Sequence, residues 1–301
     1  MKKVLVIHYS QSGQLTEILD NILAPINSES DVEIDHLAIE MESPFPFPWT
    51  KKEFFGVFPE TFLQKPQPIK AIPKEILEKN YDLIIFGYTI WYLTPSLPTT
   101  SFLASPDAQK LLSNKKVITV IGCRNMWIMA HEKLKRRLKD FNAELVGNIV
   151  LADRHINHIS VITITKWMFS GKKYKYLNIF PKPGVSQKDI DESKKFGPII
   201  LNHLKQDNYN TLQPQLLKKE AVKIKPFLIT TDKKANRIFS KWATLIGSNT
   251  KNRTFLLKLF NYYLIFAIWV ISPVVFILFL ATYLLRINKI KKDKKYYSSV
   301  S

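Results

Sequence analysis

The chain has 301 residues, of which 46% are hydrophobic, and a formal net charge of +19. Its single cysteine, Cys123, excludes an intramolecular disulfide and fits a reducing compartment. The charge is concentrated toward one end: residues 214–301 hold 17 Lys/Arg and 3 Asp/Glu, so this segment carries +14 of the total. Because the rest of the chain is only mildly basic, a nucleic-acid partner is not expected.

Strand and helix patterns alternate over the first two thirds of the chain. In chain order the pattern predicts strand 3–9, helix 16–23, strand 32–37, helix 72–79, strand 81–87, helix 102–112, strand 116–122, helix 127–141, strand 144–151 and helix 186–204. This alternation is typical of an α/β protein with a parallel sheet covered on both faces. Five strands fit a doubly wound sheet in the order 2-1-3-4-5, within one domain over residues 1–205.

Two aromatic segments interrupt this pattern. The first insertion, residues 41–73, is rich in proline and phenylalanine and is too apolar for a disordered linker, so we expect an irregular, packed flap. The second insertion, residues 155–182, combines aromatic residues with lysines. It is interpreted either as a lid over an active site or as a patch that contacts lipid.

The C-terminal third carries a membrane signal. Residues 259–285 form a run of 27 residues without a charge, whereas about 20 suffice to cross a bilayer. We divide this third into a basic amphipathic membrane-proximal linker (206–254), a transmembrane or re-entrant helix (255–288) and a basic tail (289–301). Both flanks are basic, and a kinked, re-entrant or monotopic insertion would keep both on one side. A single span is nevertheless preferred, because re-entrant hairpins are rarer. No signal peptide is recognised, so we expect the cytoplasmic face of the inner membrane, with a C-terminal anchor.

A polar loop follows the first strand at the carboxyl edge of the predicted sheet. It reads Ser10-Gln11-Ser12-Gly13-Gln14-Leu15 and leads into a helix. Free backbone N–H groups at a helix N-terminus suit a phosphate, and Gly13 allows close approach. The loop has neither the G-x-G-x-x-G pattern of dinucleotide sites nor the Lys-Ser/Thr of a P-loop.

Two further loops follow the third and fourth predicted strands. The candidate residues are Thr89, Ile90, Trp91 and Tyr92 in the first loop, and Gly122, Arg124, Asn125, Met126 and Trp127 in the second. These positions resemble the two flavin-facing loops of flavodoxin-like quinone and FMN reductases. The resemblance implies that aromatic side chains in the first loop contact a flavin ring and that polar side chains in the second donate to its edge. No metal site is predicted.

The first loop resembles that of the flavodoxin family, which reads roughly Ser/Thr-x-Thr-Gly-x-Thr and binds the phosphate of FMN. Here Ser12 keeps a hydroxyl, whereas Leu15 loses one. The resemblance extends to NAD(P)H:quinone and FMN reductases, and it implies a flavodoxin-like fold with FMN as cofactor and NAD(P)H as a further candidate.

The whole chain also resembles the flavodoxin-like proteins of dialkylresorcinol and flexirubin pigment pathways in Bacteroidetes, labelled condensing enzymes. The residues that carry this resemblance are 8–14, 122–127, the second insertion and the hydrophobic run. It implies a role in making a lipid-like dialkylresorcinol. Condensation needs a nucleophilic thiol with His/Asn partners, which a ketosynthase would supply, whereas a flavin suits the oxidation that follows. We therefore expect a membrane-anchored FMN-dependent oxidoreductase that aromatises a long-chain cyclic diketone beside a ketosynthase or an acyl carrier protein. His131 and Tyr92 are the candidate catalytic bases.

Three other interpretations stay open at this point. The chain would be a membrane-tethered NAD(P)H:quinone or FMN reductase if NAD(P)H reduces its flavin, or a flavodoxin-type electron carrier. It would be a flavin-free membrane partner of the ketosynthase if Leu15 and the first insertion prevent binding. A homodimer is also left open.

Overall fold

A computed structural model describes residues 1–300 of the chain. The strands are β1 (Lys2–His8), β2 (Val32–Ala38), β3 (Leu83–Trp91), β4 (Thr94–Pro95), β5 (Lys116–Cys123) and β6 (Glu144–Ala152). Five of them form a parallel sheet in the order β2-β1-β3-β5-β6, and the two-residue β4 pairs antiparallel with the end of β3. The predicted order 2-1-3-4-5 is therefore confirmed, with one short strand added, and the fold is flavodoxin-like.

Helices cover both faces of this sheet. Successive strand residues point to opposite faces, so Val4 and Val6 pack on one side while Leu5 and Ile7 pack on the other. Helices α1, α9, α10 and α11 cover the first face, and α5, α6 and α7 cover the second. The helices up to this point are α1 (Gln14–Asn27), α2 (Lys51–Gly56), α3 (Phe58–Phe62), α4 (Lys74–Glu78), α5 (Leu97–Leu103), α6 (Pro106–Leu112), α7 (Ile128–Asp140), α8 (Asn157–Ser170), α9 (Gln187–Asp191), α10 (Gly197–Gln206) and α11 (Leu212–Lys218).

Two of the predicted helices are broken. The helix predicted over 102–112 is α5 followed by α6, because Ser105 caps α6 by accepting the Ala108 N–H and Pro106 occupies its first position. The helix predicted over 186–204 is α9, a 3₁₀ turn at Glu192–Phe196, and α10. A Cβ at Gly197 would collide with the Ile22 carbonyl of α1, so this break lets α10 approach α1 closely.

The predicted linker over 206–254 is not a linker along its whole length. Its first part contributes Leu212, Leu216 and Ala221, all fully buried, to the core beside β6. Its second part is helix α12 (Pro226–Ser248), which packs on α3 and α7. The segment is therefore a part of the folded body rather than a tether.

One helix of the described residues is long and apolar enough to cross a membrane. It runs over Arg253–Ala281, and we call it the apolar helix. It consists of α13 (Arg253–Phe266), a wider π-helical turn at Ala267–Ile271, and α14 (Ser272–Ala281). The π turn precedes Pro273, which has no N–H to donate, so the local widening accommodates the proline. A last helix, α15 (Ile287–Ser298), follows after a 3₁₀ turn.

Candidate functional site

Three loops begin side by side at the carboxyl edge of the sheet. His8 of β1 pairs with Gly87 of β3, and Thr89 of β3 pairs with Gly122 of β5. The loops after β1, β3 and β5 therefore meet at this edge, as the doubly wound order requires. This arrangement brings together the three segments in which the sequence places its candidate site residues.

The loop after β1 offers unpaired donors. Ser10 Oγ accepts the N–H groups of Leu15 and Thr16 at 3.2 and 3.4 Å and so caps α1. Within residues 1–300, the N–H groups of Gln11, Ser12 and Gly13 and the Ser12 hydroxyl have no hydrogen-bond partner. Gly13 is exposed in the left-handed region at φ 79°, with open space where a Cβ would stand. This geometry leaves room for an anion at the N-terminus of α1.

The same loop is tied to both aromatic insertions. The Gln11 carboxamide donates to the carbonyls of Phe45 and Pro46, the latter at 2.7 Å, and accepts from the Tyr9 hydroxyl. Gln14 exchanges two hydrogen bonds with the backbone of Val185, just after the second insertion. The first insertion is thus fixed to one end of the loop, and the chain that follows the second is fixed to the other.

The two insertions also meet each other. The Trp49 N–H donates to the Met168 carbonyl at 2.8 Å. The ring centroids of Phe54 and Phe169 are 5.8 Å apart, and those of Phe47 and Trp167 are 6.2 Å apart. We call this contact between residues 45–54 and 167–169 the aromatic roof. The prediction that the first insertion packs as a flap agrees with this arrangement.

The two aromatic residues after β3 point to different surroundings. Trp91 packs edge-on with Tyr9, Phe45 and Trp49 under the aromatic roof. Tyr92, at φ 49°, instead packs on Phe54 and Phe58, and its hydroxyl donates to the Phe54 carbonyl.

Trp91 therefore faces the insertion, whereas Tyr92 lies beneath α2 and α3, and burial raises the Tyr92 pKa far above its usual range. Ile90 is held in the short hairpin by pairing with Pro95. Thr89 Oγ1 is buried and has no hydrogen-bond partner among the described residues.

The loop after β5 is organised by a residue that the sequence did not indicate. Asn157 Oδ1, at the start of α8, accepts from Arg124 Nη1 and Asn125 Nδ2, each at 3.1 Å. Burial lowers the pKa of Arg124 to about 10, so the guanidinium stays charged at neutral pH. Asn125 Oδ1 is buried and lacks a hydrogen-bond partner in the described part of the chain. The side chains of this loop are therefore held in place, and one acceptor is left free.

The remaining predicted residues of this region lie deeper. Gly122 sits within the strand pairing of β5, and Trp127 is buried with its ring edge toward His131 at 5.8 Å between centroids. His131 is 2% exposed, its Nδ1 lies 3.0 Å from the Tyr88 hydroxyl, and burial lowers its pKa to about 3. An imidazole in that setting is neutral. Met126 is half-buried in the loop itself. The catalytic roles of His131 and Tyr92 stay predictions.

Two buried carboxylates at this edge were not among the predicted site residues. Asp153 accepts from Ser160 at 2.7 Å and from the His155 ring at 2.7 Å, which orders the start of α8. Asp232 of α12 accepts the Met129 N–H at the N-terminus of α7 at 3.2 Å. Burial raises the pKa of Asp232 to about 7. Asp153 directly follows β6 and so lies at the carboxyl edge by topology, whereas Asp232 has no such signal, since only the packing of α12 brings it to the N-terminus of α7.

The residues at this edge fit an FMN group. The unpaired N–H groups of Gln11, Ser12 and Gly13 suit its phosphate, and the unpartnered Thr89 Oγ1 and Asn125 Oδ1 suit a ring edge with both donors and acceptors. Arg124 provides a fixed positive charge beside them. The set of polar groups agrees with the flavodoxin-like prediction.

Comparisons with known proteins found distant likenesses among solved structures. No family profile and no curated protein sequence matches the chain. Among solved structures, a Lactobacillus acidophilus flavoprotein in complex with FMN is 16% identical, with 50% of this chain and 93% of that chain covered and a TM-score of 0.39. An archaeal flavodoxin is 15% identical, with coverage of 67% and 99% and a TM-score of 0.38. Flavodoxin 1 from Bacillus cereus is 19% identical, with the same coverage and a TM-score of 0.35. The fold assignment itself rests on the strand order described above.

Proposed function

We propose that this chain is an FMN-dependent oxidoreductase that acts on an apolar substrate. The observation that carries the proposal is the meeting of three loops at one sheet edge, with unpaired N–H groups in the first and unpartnered polar atoms at Thr89 and Asn125 in the other two. A bound phosphate and ring would satisfy these groups, and a buried polar atom costs free energy unless something satisfies it.

The three loops would share the work of holding the cofactor. Residues 10–14 would bind the phosphate, and Arg124 and Asn125 would hold the ring edge, with Asn157 fixing both side chains. Trp91 would flank the ring from the β3 loop. FMN bound there supplies a two-electron acceptor. The aromatic roof would exclude water and contact the hydrocarbon part of a substrate, because its phenylalanine and tryptophan side chains offer few polar groups.

The substrate we propose is a long-chain cyclic diketone, because the resemblance of the chain implies a role in dialkylresorcinol biosynthesis and a flavin suits the oxidation that follows condensation. Conversion of such a ring to a resorcinol removes two hydrogens. A base would accept one of them as a proton, a role for which His131 and Tyr92 are the predicted candidates, and FMN, when bound, would supply the acceptor for the other as a hydride equivalent. The positive charge of Arg124 would stabilise the enolate that forms when the proton leaves. A ketosynthase or an acyl carrier protein would deliver the substrate, and the reaction would take place at the cytoplasmic face of the inner membrane.

A second candidate function is a flavin-free partner of the ketosynthase. It is favoured by the contacts of the first insertion, since Gln11 is already occupied by the carbonyls of Phe45 and Pro46, and Trp91 is already packed by Phe45 and Trp49. If these contacts are permanent, they restrict access to the loop after β1. The cofactor content of the protein separates the two candidates.

The test is the visible spectrum of the full chain purified in detergent. We expect absorption bands near ~375 and ~450 nm and about one FMN per chain released on heating. Anaerobic addition of cyclic diketones should then bleach the flavin. Bleaching by NAD(P)H with no effect of diketones would instead identify a reductase. A colourless protein that takes up no added FMN would overturn the oxidoreductase proposal.

A further inference from the structure

We propose that the apolar helix, residues 253–281, lies in the plane of an anionic membrane surface and does not cross it, so that both of its ends stay on the side of the folded domain. This inference goes beyond the proposed function and does not depend on FMN. It rests on contacts at the start of the helix, at its middle and in the segment that follows it.

The start of the helix is fixed to the first insertion. Arg253 forms a two-pronged ion pair with Glu60, at 2.8 and 2.7 Å, and also donates to the Gly56 carbonyl at 2.9 Å. Two turns later, the fully buried Phe260 stacks on Phe58 with ring centroids 3.8 Å apart. The first half of the helix therefore lies against α2 and α3 rather than projecting from the domain.

The second half of the helix is held as well. His158 of α8 hydrogen-bonds through Nε2 to the Ile268 carbonyl at 3.0 Å, and its ring lies 4.9 Å from that of Trp269. Phe227, in the first turn of α12, packs on Phe276 and Phe279. The apolar helix and α12 thus run antiparallel along the domain, and contacts continue to within a turn of Ala281.

The segment after the helix returns to the same domain. Tyr296 of α15 donates to Glu132 of α7 at 3.0 Å, and Asp293 lies 3.6 Å from Lys233. The Ser298 carbonyl accepts from Gln213 at 2.8 Å, and Gln213 in turn donates to the Asn148 carbonyl of β6. The chain beyond the apolar helix is therefore docked next to the sheet.

These contacts are incompatible with a crossing helix. A span places the residues after it about 30 Å from those before it, on the far side of the hydrocarbon core. The contacts of Tyr296 with Glu132 and of Ser298 with Gln213 would then be lost. The contacts at both ends of the apolar helix can be kept together only if the helix lies along the surface of the domain.

The outward face of the helix matches an anionic bilayer. Ile265, Val274, Ile277 and Leu280 are between 50% and 65% exposed, and 6% of the most apolar stretch of the helix is buried. An apolar surface of this length is typical of a lipid or protein contact. Lysine and arginine residues precede it and follow it, and acidic headgroups attract such flanks. Charge complementarity therefore favours a lipid surface over a second copy of this basic chain.

A pair of cysteines distinguishes the two orientations. We would prepare membranes that contain the Glu132→Cys, Tyr296→Cys double variant and treat them with a short bis-maleimide. In-plane binding predicts an intramolecular crosslink with a yield equal to that in detergent. A crossing helix predicts no crosslink in membranes, which would overturn the proposal. Each single variant controls for reaction with Cys123, whose pKa is raised by burial.

A reporter at the C-terminus gives an independent reading that needs no substitution. We expect a C-terminal green fluorescent protein fusion to fluoresce and an alkaline phosphatase fusion to be inactive. An active phosphatase would show that the tail is exported and would contradict the in-plane orientation.

Flotation with lipid vesicles tests whether the outward face of the apolar helix binds lipid. Ile265→Asp with Ile277→Asp should lower binding to vesicles of phosphatidylcholine and phosphatidylglycerol at least about ten-fold, because each change removes a buried aliphatic side chain from lipid. Asn27→Asp with Asn202→Asp, both exposed in the layer of α1 and α10, adds the same charge and should leave binding unchanged.

Higher salt should weaken binding of the unmodified chain, as expected for acidic headgroups. A chain that stays in solution as a dimer and binds no vesicles would overturn the proposal in favour of a second copy. FMN content is scored separately in the same samples, so failure of either proposal is visible on its own.

Discussion

Ser10 combines two roles that a single substitution can separate. Its hydroxyl caps α1 through two backbone N–H groups, and it belongs to the loop proposed to bind the FMN phosphate. Ser10→Ala should lower the free energy of unfolding by about 1 kcal/mol, the usual cost of a lost N-cap. Ser10→Asp keeps an acceptor and should restore most of that stability.

For FMN binding we expect the reverse ranking of the two variants: Ser10→Asp is the more stable but should bind FMN more weakly. A carboxylate at position 10 repels a phosphate, so FMN should bind more weakly to Ser10→Asp than to Ser10→Ala. Urea unfolding and flavin fluorescence titration measure the two effects. Wild-type FMN affinity in Ser10→Asp would mean that the phosphate does not sit at this loop.

Asp232 predicts a pH dependence of stability with a defined sign. Burial raises its pKa from 3.8 to about 7, so between these values the folded protein binds more protons than the unfolded chain. Its contribution to stability is therefore fully present below pH ~4 and is lost as pH rises through 7, with a slope of at most about 1.4 kcal/mol per pH unit. Burial lowers the pKa of His131 from 6.5 to about 3, so this residue makes the folded protein more stable as pH rises between these values. The effect of Asp232 must therefore be measured as the difference between the unmodified chain and a variant at position 232.

Asp232→Asn provides that difference. The amide keeps an acceptor for the Met129 N–H and carries no charge at any pH. We expect the free energy of unfolding of the variant, relative to the unmodified chain, to increase from pH 4 to pH 7 and then level off. A difference that is constant with pH would show that the Asp232 pKa is not raised in the folded protein.

At the scale of elements, local patterns predicted the sheet because β1, β3 and β5 are continuous apolar runs that must be buried on both faces, whereas the edge strand β2 alternates and is only partly buried. The meeting of the three loops could also be predicted from the sequence, because parallel strands bring their carboxyl ends to one edge. Helix breaks at Pro106 and Gly197 were missed because the apolar periodicity continues through them. Asn157 and Asp232 were missed because their partners, Arg124 and Met129, are 33 and 103 positions away.

The apolar helix docks on the domain through a fully buried aromatic side chain. Phe260 is fully buried among Phe58, Phe239 and Trp242. Phe260→Ala should weaken this docking by about 3–5 kcal/mol, as for other buried phenylalanines. We expect faster protease cleavage between α12 and α13 in detergent.

The same helix offers a matched control. Phe255 lies five residues earlier and is 64% exposed, so Phe255→Ala should leave the cleavage rate close to that of the unmodified chain. Equal cleavage rates for the Phe260 and Phe255 variants would contradict the docking of α13 on α3 and α12.

At the scale of the whole molecule, the first insertion and α8 both pack at the carboxyl edge of the sheet. The first insertion holds the loop after β1 through Gln11, and it holds the start of the apolar helix through Glu60 and Phe58. Helix α8 holds the loop after β5 through Asn157 and the middle of the apolar helix through His158. The first insertion and α8 therefore each contact both the candidate cofactor site and the helix proposed to bind the membrane.

Two adjacent residues of α8 allow this coupling to be tested. Asn157→Ala removes the acceptor that fixes Arg124 and Asn125, and unsatisfied buried donors cost about 1–3 kcal/mol, so FMN affinity should fall about ten-fold or more. His158→Ala removes the contacts with Ile268 and Trp269 and should loosen the apolar helix. Fluorescence titration with FMN and limited proteolysis measure the two outcomes.

If the site and the helix are coupled through α8, His158→Ala in vesicles should also weaken FMN binding by a smaller factor. Unchanged FMN affinity in His158→Ala, beside a loss in Asn157→Ala, would show that the two functions are independent.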